Sequence, residues 1–341
     1  MTTKIEWTHY TAPGGKIVKG FTLNPAKGCS HAAYQPTSGG HKIAHPGCQN
    51  CYAEGFCKRN LHGEAATVGK WDGTIEIYPD RLAWPFTRYK ARRDGLPRIG
   101  FTHSESDPGH PNYPEEFWMA VQGAMLLSPW IIWKDLTKRP EKLNDLLYHF
   151  SPRDCVEALT SYYDDVKGFF DLEITPDFDG AYLHSPTCPS YCGFSCGLSV
   201  NVPEKWSYVY HIHRYISISD QPSTDALISE ILRMPAAVRG VSLEPMTGAV
   251  EFGPYLPSLD HVIVGMESGR NARPGDLQWA KDVIEQCKLA GVSCYVKQIG
   301  SNPIEGPMIL PRPQSSKGSD PAEWPEALRV RQHVGLPEGC F

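Results

Sequence analysis

Cys29, Cys48, Cys51 and Cys57 are the residues with the clearest capacity for chemistry, the last three falling within "HPGCQNCYAEGFC". The chain holds 11 cysteines, an odd number that cannot pair completely. The N-terminal "MTTKIEWTHYTAPGG" has no apolar core, and no run of about eighteen apolar residues follows. The expectation is a cytoplasmic protein without a signal peptide or membrane contact, where clustered thiols bind metal more often than they form disulfides. Disulfides, zinc and an iron–sulfur cluster are the readings these residues allow. Structural zinc takes four protein ligands, with Cys57 as the fourth. Three thiolates suit a [4Fe–4S] cluster that leaves one iron open. Gly28 and Gly47 each precede a cysteine and allow the loop to bend tightly.

A second group, Cys188, Cys192 and Cys196, is spaced evenly by three residues among Pro189, Gly193 and Gly197. It reads as a loop holding a second metal, either a further Fe–S cluster or Zn, with His184 as an additional ligand. Cys155, Cys287, Cys294 and Cys340 stand apart as single thiols.

These residues need elements to position them. Seven short apolar, β-rich runs recur: "GFTLN", "RIGFTH", "WIIWKD", "RYISIS", "VRGVSL", "HVIVG" and "VSCYVKQ". Helical patterns follow most of them. "PEEFWMAVQGAMLL" starts on proline and two acids, "STDALISEILRM" offers Ser223 or Thr224 as a cap, and "LQWAKDVIEQCKLAG" stops at Gly291. Buried strands alternating with helices predict an α/β fold, a parallel barrel or partial barrel of six or seven strands over residues 1–300. The alternation breaks at about 151–213, which reads as an insertion. Residues 301–341, rich in Pro, Ser and Gly, read as an irregular extension packed on the barrel.

In such a barrel, chemistry sits at the C-terminal strand ends. The polar residues there are Ser104, Ser106 and Asp107; Lys138 and Arg139; Ser219 and Asp220; Glu244; Glu267; and Lys297. A basic strip, "RLAWPFTRYKARRDGLPR", precedes the second strand. Arg88, Lys90, Arg92, Arg93 and Arg98 can track phosphates there, with Trp84, Phe86 or Tyr89 stacking on bases. The competing reading is a solvated face packed by its own aromatics. A net charge of −5 with 41% hydrophobic and 21% charged residues excludes a chain coated in positive charge, but not local nucleic-acid contact.

"TKIEWT", "NPAKGC", "PGCQNCYAE", "LTKRPEKL", "VSLEP", "VIVGMESG" with "ARP", "VKQIG" and "DPAEWPEALRVRQ" occur in that order. They resemble the phage Gp37/Gp68-like three-cysteine-motif family, related to radical S-adenosylmethionine (SAM) enzymes. The resemblance implies an incomplete TIM-like barrel with a [4Fe–4S] cluster on Cys29, Cys48 and Cys51. It further implies SAM bound at the open iron and cleaved reductively to a 5′-deoxyadenosyl radical. The SAM amino group would meet Ser104, Ser106 or Asp107, and its carboxylate Lys138 or Arg139. Ser219 and Asp220 would lie near ribose or methionine, with Glu244 and Glu267 past the next strands. The implied partners are a nucleic acid or nucleotide substrate, for base modification or lesion repair, and an electron donor such as flavodoxin or ferredoxin. This chain departs from the usual CxxxCxxC pattern: eighteen residues separate Cys29 from Cys48, and the aromatic Tyr52 follows Cys51. Two rival classes use the same residues without SAM. One is a zinc-stabilised nucleic-acid-binding module, the other a metal-dependent TIM-barrel hydrolase.

Overall fold

The computed structural model describes residue 3 and residues 5–59, 71–162, 171–174, 180–184 and 197–340. All seven β-rich runs form strands of one sheet: β1 (Phe21–Leu23), β2 (Arg98–Thr102), β3 (Ile131–Thr137), β4 (Ile212–Ile218), β5 (Val238–Met246), β6 (His261–Met266) and β7 (Ser293–Gln298). Each pairs in parallel with the next in chain order. The alternation expected of an α/β fold with a parallel sheet is therefore present.

Sequential parallel order has a consequence for shape. Right-handed crossovers taken in order put the helices on one face, and the other face curls inward. Interior packing bears this out. Phe101 of β2, Tyr215 of β4, Ile263 of β6 and Tyr295 of β7 share one buried cluster with Trp7. In a flat sheet β2 and β7 would lie five spacings, about 24 Å, apart. The turn Glu6–Thr8 carries Trp7 into that cluster, its ring 4.9 Å from Phe101. Among the described strands β1 and β7 share no ladder, so the sheet is a curled half-barrel.

The other face carries the main apolar core, including Trp133, Ile216, Val241 and Val264, under the helices. Those helices are α1 (Tyr52–Arg59), α2 (Glu115–Leu126), α3 (Pro140–His149), α4 (Pro152–Ser161), α5 (Gln221–Arg233) and α6 (Leu277–Ala290). The segment expected as an insertion opens with α4, which packs on α2 behind a Ser151–Asp154 capping box. It continues with an antiparallel sheet of Asp171–Ile174, Gly180–His184 and Gly197–Asn201. Cys188, Cys192 and Cys196 lie outside the described residues. Helix α6 ends at Gly291, φ 71°, as its sequence predicts.

Helix α5 corrects its expected start. The cap is Asp220, not Ser223 or Thr224: the Asp220 carboxylate accepts from the Ser223 amide and Pro222 occupies the first turn. The extension pairs with the open edge of β7, where Val296 N donates to Val330 O at 2.8 Å and Gln332 N to Cys294 O at 2.9 Å. Covering that edge removes a row of unpaired backbone groups. Among the described residues, no helix is long and apolar enough to cross a membrane.

Candidate functional site

Beyond β1 the chain crosses the C-terminal ends of the strands and carries Cys29, Cys48 and Cys51 with it. Backbone bonds fix the first cysteine: Gly28 N donates to Glu105 O at 3.0 Å and Gly73 N to Cys29 O at 2.9 Å. The second lies in the turn Pro46–Cys48, capped by His45. Gly47 N donates to His45 Nδ1 at 3.1 Å, which leaves the ring proton on Nε2, donating to Ser217 O at the end of β4 at 2.9 Å. Burial first, then Lys138, pushes His45 down to about 3, so the imidazole is neutral.

A second anchor comes from the loop after β6. Arg273 grips Glu267 through Nε at 2.9 Å and Nη2 at 2.8 Å, and the same guanidinium reaches Pro46 O and Gln49 Oε1, each at 3.0 Å. Asn50 Nδ2 adds a bond to Glu267 Oε2 at 3.3 Å. Burial alone would lift the Glu267 carboxyl, but Arg273 outweighs it and holds the group below its ordinary value. Just past Cys51, Tyr52 donates its hydroxyl to Ser104 O at 2.8 Å. The segment carrying Cys48 and Cys51 is thus tied to the ends of β2, β4 and β6.

Asp107 organises the loop after β3. Its Oδ1 accepts from Thr137 Oγ1 at 2.6 Å and Gly109 N at 2.9 Å; its Oδ2 accepts from Lys138 N at 3.1 Å and Arg139 Nη1 at 2.8 Å. Burial opposes the charge, yet Arg139 and these donors keep the carboxyl below its ordinary value. Arg139 turns toward the cysteine segment: Nη2 donates to Ser30 O at 2.8 Å and Nη1 lies 3.8 Å from Cys29 Sγ. Lys138 and Ser219 converge instead on Gly47. A methyl group there would meet Lys138 Cε, Ser219 Oγ and His45 Nδ1, each at 3.2 Å, so glycine permits the close approach. Ser219 Oγ is fully buried and, among the described residues, has no hydrogen-bond partner.

The remaining expected residues divide. Ser104 Oγ donates to Asn24 and Ser106 Oγ to Ala26 O, both bracing the segment that leads to Cys29. Asp220 is the α5 cap. Glu244 faces the interior, where Oε2 takes Lys297 Nζ at 3.1 Å and Ser242 Oγ at 3.3 Å, while Oε1 lies against Gly265 with no hydrogen-bond partner among the described residues.

Donor chemistry is consistent with the expected cluster. The Cys29, Cys48 and Cys51 thiols are free, and each lies within electrostatic reach of the next. Burial, then Asp107, pushes Cys29 up to about 11 against Arg139; burial raises Cys48 against Lys138. Protonated thiols at neutral pH become thiolate ligands when a metal displaces their protons. As the side chains stand, no three His, Cys, Asp or Glu among the described residues gather tightly enough to hold one ion. The tethers bring the segments that carry the three cysteines to the same end of the sheet. Cys57 falls on α1.

The basic strip lies elsewhere. Arg98 opens β2, so Arg92, Arg93 and Arg98 sit at the N-terminal end of the sheet, a strand length from the cysteines. Its aromatics are not free for bases. Phe86 and Tyr89 are buried in the core, with Tyr89 stacked on Phe21, and Trp84 lies under Arg88 at 3.9 Å. The aromatics serve packing: Phe86 and Tyr89 belong to the main core and Trp84 lies against it. Sequence reasoning also missed His45 and Arg273, whose partners lie 172 and 227 residues away. The quoted "ARP" contains Arg273, and that is the signal the sequence offered.

A curled parallel half-barrel with a thiol-bearing loop across its C-terminal strand ends is the class that fold and site define. The chain belongs to the family described as "Protein of unknown function (DUF5131)", whose model matches residues 2–318. No curated protein and no solved structure matches it.

Proposed function

We propose that the protein is a radical SAM enzyme on an incomplete TIM-like barrel, with a [4Fe–4S] cluster on Cys29, Cys48 and Cys51. Its proposed substrate is a nucleic acid or nucleotide. One observation carries this reading: the cysteine segment is anchored across the C-terminal strand ends, where a parallel barrel does its chemistry. When bound, the cluster supplies the electron that cleaves SAM reductively.

The chain's own residues divide the remaining tasks. Lys138, whose Cε packs beside Gly47, is the proposed partner of the SAM carboxylate, and Ser219 offers a hydroxyl without a hydrogen-bond partner among the described residues. Arg139 and Asp107 hold the Cys29 segment in place. Glu244 and Lys297 line the interior below the mouth and face the substrate. A base in a duplex would be flipped out to reach them.

Reduced, iron-replete protein given SAM is expected to release 5′-deoxyadenosine, measured by chromatography. No release, with or without nucleic acid, rejects the reading. Colourless protein with stoichiometric zinc would support the zinc-stabilised binding module instead.

A further inference from the structure

At the N-terminal end of the sheet, opposite the cysteines, a shallow cavity of about 350 Å³, largely open to solvent, is lined by Lys16, Arg92, Arg93, Asp94 and Arg98. Four cations there face one carboxylate. Asp94 is already shared, by Lys16 Nζ at 2.6 Å and by a two-pronged contact from Arg92 at 2.9 and 2.5 Å. Those contacts, Arg92 first, hold its carboxyl below the ordinary value. Arg93 is exposed and, among the described residues, forms no ion pair. Arg98 is partly buried; it donates to Lys90 O at 3.2 Å and forms no ion pair either. Burial, then the field of Arg92, lowers its affinity for its own proton.

Uncompensated guanidinium charge is costly to gather, all the more conspicuously in a chain with a net charge of −5. An anion removes that cost. Two planar forks without an ion pair among the described residues, with an ammonium and a third guanidinium beside them, match a group with more than two acceptor oxygens better than a lone carboxylate. The cavity is at the small end of ligand sites, suited to one phosphate group with part of its ester.

We propose that this cavity is a phosphate-binding site distinct from the cysteine mouth, with Arg93 and Arg98 as its principal donors. The phosphate comes either from a nucleic-acid backbone or from a free phosphate compound. Because the cavity and the mouth lie at opposite ends of β1 and β2, a strand held here is anchored by the contact, not presented to the cysteines. The site stands independently of any cluster.

The test uses the full chain without SAM or reductant. Binding of a labelled single-stranded oligodeoxythymidylate is followed by anisotropy over a salt series, and binding of inorganic pyrophosphate by calorimetry. Arg93→Glu, on an exposed turn away from the core, is compared with Arg93→Gln/Arg98→Gln. At least a tenfold loss of oligonucleotide affinity is expected, with a log–log salt slope shallower by about 0.7 for each single-strand phosphate contact removed. Loss of pyrophosphate binding alone assigns the site to a free phosphate compound. Wild-type binding of both probes by both variants, or no binding of either probe by the wild type, overturns the proposal.

Discussion

Two arginine–aspartate pairs, Asp107–Arg139 and Asp135–Arg214, show how one interaction serves different ends. Asp135 and Arg214 meet at 2.5 Å between sheet and helices, with side chains 0% and 1% exposed. Thr102 Oγ1 at 2.9 Å and Gln122 Nε2 at 3.2 Å complete the carboxylate's partners, and the His103 ring lies 3.5 Å away. Everything in that group is internal to the core. Asp107 and Arg139 meet at 2.8 Å at the mouth, with side chains 8% and 13% exposed. There the guanidinium also extends to Ser30 and toward Cys29. The sealed pair braces the fold, while the mouth pair holds a loop that carries candidate ligands.

That contrast can be broken by removing each arginine in turn. Arg214→Met leaves the Asp135 charge without its cation in the interior, a change that typically costs about 3–5 kcal/mol. A large fall in the urea midpoint is therefore expected. Arg139→Met leaves Asp107 with its three other donors near solvent, so the expected fall is clearly smaller while iron binding drops. Equal stability losses in the two variants would erase the distinction.

Arg273→Gln sharpens the comparison with a smaller effect on the fold. It frees Pro46 O and Gln49 while the barrel remains intact. The expected result is near-wild-type far-UV circular dichroism with iron per chain reduced after anaerobic reconstitution. Unchanged iron would show that the His45 anchor alone suffices.

The smallest effect concerns the interior floor. Lys134 is buried over the Trp7 and Tyr215 rings, at 5.2 and 5.1 Å. Burial, opposed by Glu244, lowers it to about 7, against about 10.4 in the unfolded chain. Between those values the unfolded chain binds more protons, so stability rises with pH across that window. Lys134→Met should flatten the rise, as read from urea midpoints at about pH 7 and about pH 9.5. An unaltered rise would assign it to other groups.

The strands were readable because parallel strands buried on both faces are near-continuous apolar runs, and "HVIVG" or "RYISIS" has few other uses. Glu115 and Glu116 at the start of α2, and Gly291 after α6, were readable as helix-end chemistry. The α5 cap was misread because Ser223 resembles a cap, although it partners the true cap, Asp220. The mouth was legible as a set of strand-end residues but not as an arrangement. Which of Lys138 and Arg139 turns to Gly47, and which to Cys29, depends on Asp107 accepting four bonds at once. Periodicity likewise could not reveal that the basic strip lies at the far end of β2.

The central claim, that Cys29, Cys48 and Cys51 together hold one cluster, is tested most directly by iron and sulfide analysis with visible spectroscopy on anaerobically purified protein. The wild type is expected to be brown, with broad absorbance near about 400 nm, and each single alanine variant at Cys29, Cys48 or Cys51 should lose that cluster's signal. A Cys29→Ala/Cys48→Ala/Cys51→Ala variant that keeps all of the wild-type iron would contradict the account.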